Sequence, residues 1–496
     1  AMFRLVGLHP GPDWDRYAAA ALANTSLAEA GRLIAVLARA HLVAPVSRDR
    51  YAMHDLLRAY AADLAASDDG EEAHHAALTR LFDYYLTACV AAVDVLAPSF
   101  RGTPAPAAAT PVPSLSGPAA ALAWLDTELA ALIAVISHGA SHGWPVHTSR
   151  LSVTLVPYLN DRRNTEALTI HTLALDAAHR SGDRSAQAIA LIGIGLAHRQ
   201  QGRPMLAADC HQQALTLAGE TGDLLQQARA LGNLVMDLGF QGEYEQAAHY
   251  AEQAMGLFRQ LGNRPGEAAA LSNLGVVCLR QGHYPQAADY LRQAVTLGRE
   301  IGHHVTEVMA LTTLGELFNN QGDTDQAVDC LRQAQLLVRE VGPPVNQAQV
   351  LTRLADVYCS RGQLGQAADY CQQALTIFRE AGDREGETAA LTVAGKTLLA
   401  TGQPTQARTC YETALAVARQ SGDRYAQATA LEGLANACLA TGEPGQAHGH
   451  WQQALDIYRS LGAPDASRLR ASPPCPVAAS VRLSPAFKPP ARLWPG

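Results

Sequence analysis

At 496 residues the chain is long enough for about three domains, and with 48% apolar but only 6% aromatic residues its core must be filled by small and aliphatic side chains. Its 40 Gly and 26 Pro are ordinary usage, which excludes a collagen-like or wholly disordered chain. A formal charge of −8 excludes a generally basic nucleic-acid binder.

The nine cysteines are scattered without a CxxC pair, so reduced thiols in a cytoplasmic protein are expected. The longest apolar stretches are broken by Asp94, Asp126 and Glu128, and no charged segment followed by an apolar run opens the chain. Neither a signal peptide nor a membrane span is predicted.

In chain order, residues 1–66 do not repeat. A short helix is predicted over Asp13–Leu22, then a second over Leu27–His41 capped by Ser26. Two short strands follow within Leu42–Met53 around a polar turn at 47–50, and "HDLLRAYAADLA" reads as a helix. Helix, helix, hairpin, helix is a winged-helix order. The would-be recognition helix sets only Arg32 and Arg39 against Glu29, too few for a phosphate footprint, so direct nucleic-acid contact is not expected.

Residues 67–143 form a helical spacer. "RLFDYYLTACVAAVDVLAP" (Arg80–Pro98) and "AWLDTELAALIAVI" (Ala123–Ile136) are its helices, and a Pro- and Ala-rich stretch at 99–118 is a predicted mobile loop. Residues 144–182 read as a degenerate capping repeat, with helices over Val146–Leu159 and Arg162–Arg180.

From Asp183 to Gly462 seven units of 40 residues run without a gap. Glycines at Gly182, Gly222, Gly262 and onward recur every 40 residues, and a second series from Gly202 lies halfway between. Counting Asp183 as position 1, position 9 is always Leu, positions 25 and 32 are always Ala, and position 13 is small or Val. Apolar residues at helical spacing fill positions 5–19 and 23–38, so each unit is predicted to be an antiparallel helix pair. One pair cannot bury its faces alone; stacked pairs bury a continuous core. The expected fold class is therefore all-α, a right-handed α-solenoid preceded by the small winged-helix module. The tail, 463–496, is Pro-rich and basic without a helical period, and disorder is predicted there.

Few residues suggest chemistry. His138, His142 and His147 cluster, but no acid or thiol completes a metal site, so no metal is expected. Cysteines at positions 16 and 28 (Cys278, Cys438; Cys210, Cys330, Cys410) fall in packing slots. Gly395-Lys396-Thr397 ends like a phosphate-binding loop, but the leading Gly is replaced by Ala390 and Gly395 sits at position 13, so the match is rejected. No catalytic constellation stands out, and an enzyme is not expected. What remains is recognition. First-helix positions 7, 10, 11, 14 and 17 face away from the apolar stripe. They place Arg199, Asn233, Asn273, Glu316, Asn319, Arg353, Asp356, Lys396 and Asn436 along a concave groove suited to a protein or peptide.

The small residue at position 13 and the alanines at 25 and 32 match the signature spacing of tetratricopeptide repeats, and the 40-residue period resembles the kinesin-light-chain and peptide-sensing subgroup. Met53-His54-Asp55 within "RYAMHDLLRAYA" resembles the MHD motif of NB-ARC signal-transduction ATPases. Together with "LVGLHPGPD" (Leu5–Asp13) the chain resembles the C-terminal half of AfsR/SARP-like actinobacterial NB-ARC (STAND) regulators. That resemblance implies a sensor and scaffold for a transcriptional regulator, with an upstream nucleotide-binding domain as partner and oligomerisation on activation as an option. It implies ADP or ATP in a full-length protein, with His54 at the β-phosphate and Asp55 holding the local turn, and no cofactor in this chain. The chain shows no P-loop. The other open reading is a free-standing repeat adaptor with no nucleotide dependence.

Overall fold

In the computed structural model the described residues are 1–47, 49–97, 110–159, 163–341 and 344–471. They divide into two compact units, residues 1–198 with 213–226, and residues 199–212 with 227 onward.

The first unit opens with α1 (Met2–Gly7), β1 (Trp14–Asp15), α2 (Arg16–Ala23), α3 (Leu27–Arg39), β2 (Ala44–Ser47), β3 (Arg50–Ala52) and α4 (Asp55–Asp68). Caps explain the helix starts. Asp15 accepts from the Ala18 amide at 2.8 Å, and Ser26 accepts from Glu29 at 3.2 Å. The expected order of helix, helix, hairpin and helix is present. The sequence missed α1 and β1, and β1 extends the hairpin into a three-stranded sheet of order β1-β3-β2. A two-residue strand leaves no alternation to detect.

Two long helices follow, α5 (Gly70–Leu96) and α6 (Pro118–His142). Residues 99–109 of the predicted mobile loop lie outside the described residues. By length and composition α5 and α6 could cross a membrane. Here they are core helices, with Phe82, Tyr84, Tyr85, Leu125 and Leu132 fully buried between them and their neighbours. α7 (Pro145–Thr154), α8 (Val156–Leu159) and α9 (Asn164–Ser181) complete the segment read as a degenerate repeat, and α7 packs on α9.

Seven helix pairs succeed them: α10 (Arg184–Gln200) and α11 (Pro204–Thr221), α12 (Leu224–Gln241) and α13 (Tyr244–Gln260), α14 (Arg264–Arg280) and α15 (Tyr284–Glu300), α16 (His304–Asn320) and α17 (Thr324–Val341), α18 (Pro344–Ser360) and α19 (Leu364–Ala381), α20 (Arg384–Ala400) and α21 (Pro404–Ser421), α22 (Arg424–Ala440) and α23 (Pro444–Ser460). From α13 to α23 each helix packs on the next, and the first helices α14, α16, α18, α20 and α22 also touch one another in series. This is a tetratricopeptide solenoid.

The invariant positions have a packing cause. All fourteen alanines at positions 25 and 32, Ala207 through Ala454, are fully buried. Position 13 is small because the position-29 side chain of the partner helix fills the space. A Cβ on Gly275 would lie 2.5 Å from Leu291, on Gly315 2.6 Å from Leu331, and on Gly395 2.7 Å from Tyr411. Where position 13 is the larger Val235, position 29 is Ala251, so the array trades volume between two fixed places.

The tail corrects one expectation. Its first residues form α24 (Asp465–Ala471) rather than a disordered segment. Leu461, Ala463 and Leu469 are buried in the same core as Leu238, Tyr244 and Ala247. A few apolar residues too sparse to show a period were enough, because the second and third repeats supply the other wall. At Gly282 (φ 78°) a Cβ would lie 3.1 Å from Pro464, and at Gly242 (φ 81°) it would collide with Leu461. At these two turns glycine answers both the left-handed backbone and the close approach. The rest of the tail, 472–496, and Gly342 of the glycine series lie outside the described residues.

Candidate ligand channel in the repeats

Within the second unit the first helices enclose a channel of about 670 Å³. Position 14 is its backbone. Met236, Val276, Glu316, Asp356, Lys396 and Asn436, one from each of six successive repeats, all line it. Residues 3.6 apart per turn share a face, so positions 7, 11, 14 and 18 of one helix form a single stripe.

Of the nine groove residues read from the sequence, Asn273, Glu316, Arg353, Asp356, Lys396 and Asn436 line this channel. Arg199, Asn233 and Asn319 are not among the lining residues. Arg199 reaches the Asn233 side chain at 3.2 Å and Asp237 at 3.3 Å, and Asp237 in turn holds the buried His211 at 2.5 Å. Asn319 donates to Asp356 at 2.8 Å, and its neighbour Asn320 lines the channel instead.

The sequence reading missed several walls. Position 18 supplies Phe240, Arg280 and Asn320; turn position 22 supplies Tyr244 and Tyr284; helix starts supply Glu385, Asp423 and Tyr425; and α24 adds Asp465 and Arg468. Position 18 was legible as one turn beyond position 14. The others depend on how repeats distant in sequence face each other, which no single period encodes.

The charges form defined groups. Glu316, its side chain only 12% exposed, lies between Arg280 at 2.7 Å and Arg353 at 2.9 Å. Burial opposes its ionisation, but the two guanidinium groups prevail and hold the carboxyl down to about 2. Arg280 also lies 4.7 Å over the Tyr425 ring. Lys396 binds Asp356 at 2.6 Å, so this lysine is engaged mid-helix in an ion pair and is not a phosphate-loop lysine. Against these stand polar groups with nothing to hold. The amides of Asn273, Asn320 and Asn436 and the hydroxyls of Tyr244, Tyr284 and Tyr411 line the channel and make no hydrogen bond among the described residues.

The first unit holds the other sequence-derived residues. Met53 is buried, whereas His54 and Asp55 are exposed. His54 caps α4, its Nδ1 accepting from the Leu56 amide at 3.3 Å. The "LVGLHPGPD" segment enters a buried polar network. His9 Nδ1 accepts from the Gly11 amide at 3.0 Å, which leaves Nε2–H to donate to Tyr85 at 2.9 Å, and Tyr85 donates to Glu128 at 3.4 Å. Arg50 of β3 pairs with both Glu128 and Asp13, so the hairpin is tied to α6. Burial, with Arg58 adding to it, keeps His9 neutral, its pKa down at about 3.

His138 and His142 stack at 4.1 Å, and His147 bonds Asp83 at 3.0 Å. Among the described residues no three metal-binding side chains come together. The eight described cysteines are free thiols, with Cys210 and Cys330 only half-buried at their packing slots.

A tetratricopeptide-repeat family profile matches residues 226–300, and a MalT-like tetratricopeptide region profile matches 266–464. Regulatory protein AfsR of Streptomyces griseus is 33% identical over 209 residues, covering 40% of this chain and 21% of that protein. AfsR of Streptomyces coelicolor is 35% identical over 144 residues, covering 28% and 14%. The chain thus spans about a fifth or less of the length of the curated relatives it matches. A Signal Transduction ATPase with Numerous Domains carrying a tetratricopeptide repeat sensor, from Pyrococcus horikoshii, shares the fold with a TM-score of 0.54 at 13% identity, covering 95% of this chain and 64% of that one. A Rap protein complexed with Competence and Sporulation Factor does so at 0.50 and 13%, covering 68% and 99%.

Proposed function

We propose that this chain, which carries an AfsR- and STAND-like tetratricopeptide-repeat region, is the peptide- or protein-binding sensor and scaffold of a cytoplasmic, transcription-controlling signal-transduction ATPase. The observation that carries this reading is the channel. It has the volume of a ligand site, apolar and aromatic walls, and unused amides and hydroxyls directed at whatever fills it. Asn side chains offer a donor and an acceptor together, the complement of a peptide main chain. Two solved proteins of this fold were captured with signalling partners, one with Competence and Sporulation Factor and one with the Phr* peptide.

Binding rather than catalysis is this chain's part. Tetratricopeptide repeats are typically non-catalytic, and the one lysine with a phosphate-loop neighbour is committed to Asp356. In this reading the nucleotide is held outside the repeats. The first unit would contribute His54 as a contact to it. With Nδ1 occupied as the cap, neutral His54 carries its proton on Nε2, which makes no hydrogen bond among the described residues and can donate to a phosphate oxygen. In this reading His54 touches ADP bound by a nucleotide-binding domain outside this sequence. The resulting closed state is released when the channel fills, and the two sites are reciprocally coupled.

The test is equilibrium binding of a fluorescent random hexapeptide pool to the chain and to Asn436→Trp, which fills the channel at position 14. Binding by the first and not the second is expected. Equal binding, or none by either, contradicts the reading.

A further inference from the structure

The channel's charges do not balance. Its lining carries four cations, Arg280, Arg353, Lys396 and Arg468, and six carboxylates. Every cation is already taken. Arg280 and Arg353 share Glu316, Lys396 holds Asp356, and Arg468 bridges Glu432 at 2.7 Å and Asp465 at 2.9 Å. Two carboxylates are left over. Glu385 has no ion pair or hydrogen bond among the described residues, and Asp423 only caps α22 through the Ala426 amide at 2.9 Å. Both belong to helix starts on adjacent repeats, Asp423 lies beside Tyr425 and Tyr244 of the channel wall, and Glu385 is near enough to Asp423 to feel its charge. That wall already accepts a guanidinium, since Arg280 lies over Tyr425.

We propose that the channel selects peptides presenting a cationic side chain, Arg or Lys, which Glu385 and Asp423 seat against the tyrosine wall while the free amides of Asn273 and Asn436 hold the main chain. The inference rests on the peptide reading above and sharpens it to a ligand class. Protein on several sides of a channel replaces part of the screening water, so an unopposed carboxylate that a ligand can reach there has a stronger demand for a counter-ion than one on an open surface. The crowding has a visible consequence. Glu385 itself is exposed to the channel's interior, and the surrounding protein, then the neighbouring Asp423 and Asp383, push its carboxyl up against the pull of Arg199 and Arg280. A bound cation removes that penalty, whereas an acidic ligand adds to it. An aromatic face beside the acids favours a cation further.

The experiment uses two N-acetylated, C-amidated hexapeptide pools that differ only in a fixed central Arg or a fixed central Glu, titrated against the whole chain by fluorescence polarisation. The Arg pool is expected to bind at least about tenfold tighter, as one charge-assisted hydrogen bond requires. Glu385→Gln, close to isosteric, is expected to erase most of that preference while leaving the Glu pool unweakened. Asn436→Trp is expected to remove binding of both pools. Equal or reversed preference in the wild type, with binding still lost in Asn436→Trp, overturns the charge selection and leaves the peptide reading standing. So does a preference that survives Glu385→Gln. Failure of both pools to bind overturns the two together.

Discussion

The two units solve the same packing problem in opposite ways. The repeat unit is built from alanines, leucines and glycines at fixed places, and of its aromatic side chains Phe378 and Tyr458 are the ones that reach full burial among the described residues. The first unit packs Trp14, Tyr84, Tyr85 and Phe82 at full burial and threads ions and histidines between them. A repeated core can use one small-to-small contact many times, whereas a core met only once must be filled by irregular, bulky groups whose polar ends need partners. The comparison teaches where each unit is vulnerable. The repeats tolerate little change of volume, and the first unit tolerates little change of protonation.

Acid separates them most strongly. His171 is fully buried against Ser152 at 2.6 Å, and burial lowers its pKa to about 4. A histidine depressed in the folded state loses stability as pH falls, because the unfolded chain takes up the proton first. Relative to His171→Gln, the wild type should lose on the order of 3 kcal/mol between pH 7 and 4. In the repeats the carboxyl of Glu316 is depressed to about 2. Its contribution is present above the unfolded value near 4.5 and disappears only as pH falls toward 2. Glu316→Gln, which leaves two guanidinium groups without their shared anion, should cost on the order of 3 kcal/mol at pH 7 and progressively less below pH 4.5. Denaturant titrations across pH, followed by hydrogen exchange in α9 and in α14–α18, check both. Identical pH profiles in the two units would break the comparison.

Volume separates them next. Gly315→Val should collide with Leu331 and cost roughly 1–3 kcal/mol, and Leu331→Ala should leave a cavity. Together they recreate the Val235–Ala251 arrangement of another repeat, so the double variant should be more stable than the sum of the two single losses by about 1 kcal/mol or more. Strict additivity would mean that positions 13 and 29 are not the interlocking pair they are described to be.

The smallest effect is the most specific. His54 is exposed, and its cap bond to Leu56 is long at 3.3 Å. His54→Ala should change stability by less than about 0.5 kcal/mol. A larger loss by thermal melting would make His54 a structural residue and remove the reason to assign it a nucleotide.

How much was legible follows from the same contrast. The helix pairs, the invariant alanines and the channel stripe at position 14 were readable because a 40-residue period repeats its own evidence. Arg280 was missed only because the stripe was ended one turn early. Glu385, Asp423 and Tyr244 were not readable, since their meeting depends on repeats far apart in sequence coming face to face. In the first unit the caps at Asp15 and Ser26 sit among local signals, and Ser26 was found. The tie between Arg50 and Glu128 is 78 residues long and left no pattern. α24 was mistaken for disorder because its partner surface, not its own composition, makes it a helix.

The central claim is that ligand occupies the channel and not the outer surface of the array. The most direct measurement places a photoreactive residue at Asn436, inside the channel, or at Leu336 of α17, which is exposed and outside it. The chain is then irradiated with the Arg-bearing hexapeptide pool. Peptide adducts at position 436 and none above background at 336 are expected. Equal adduct yields at the two positions would contradict the claim.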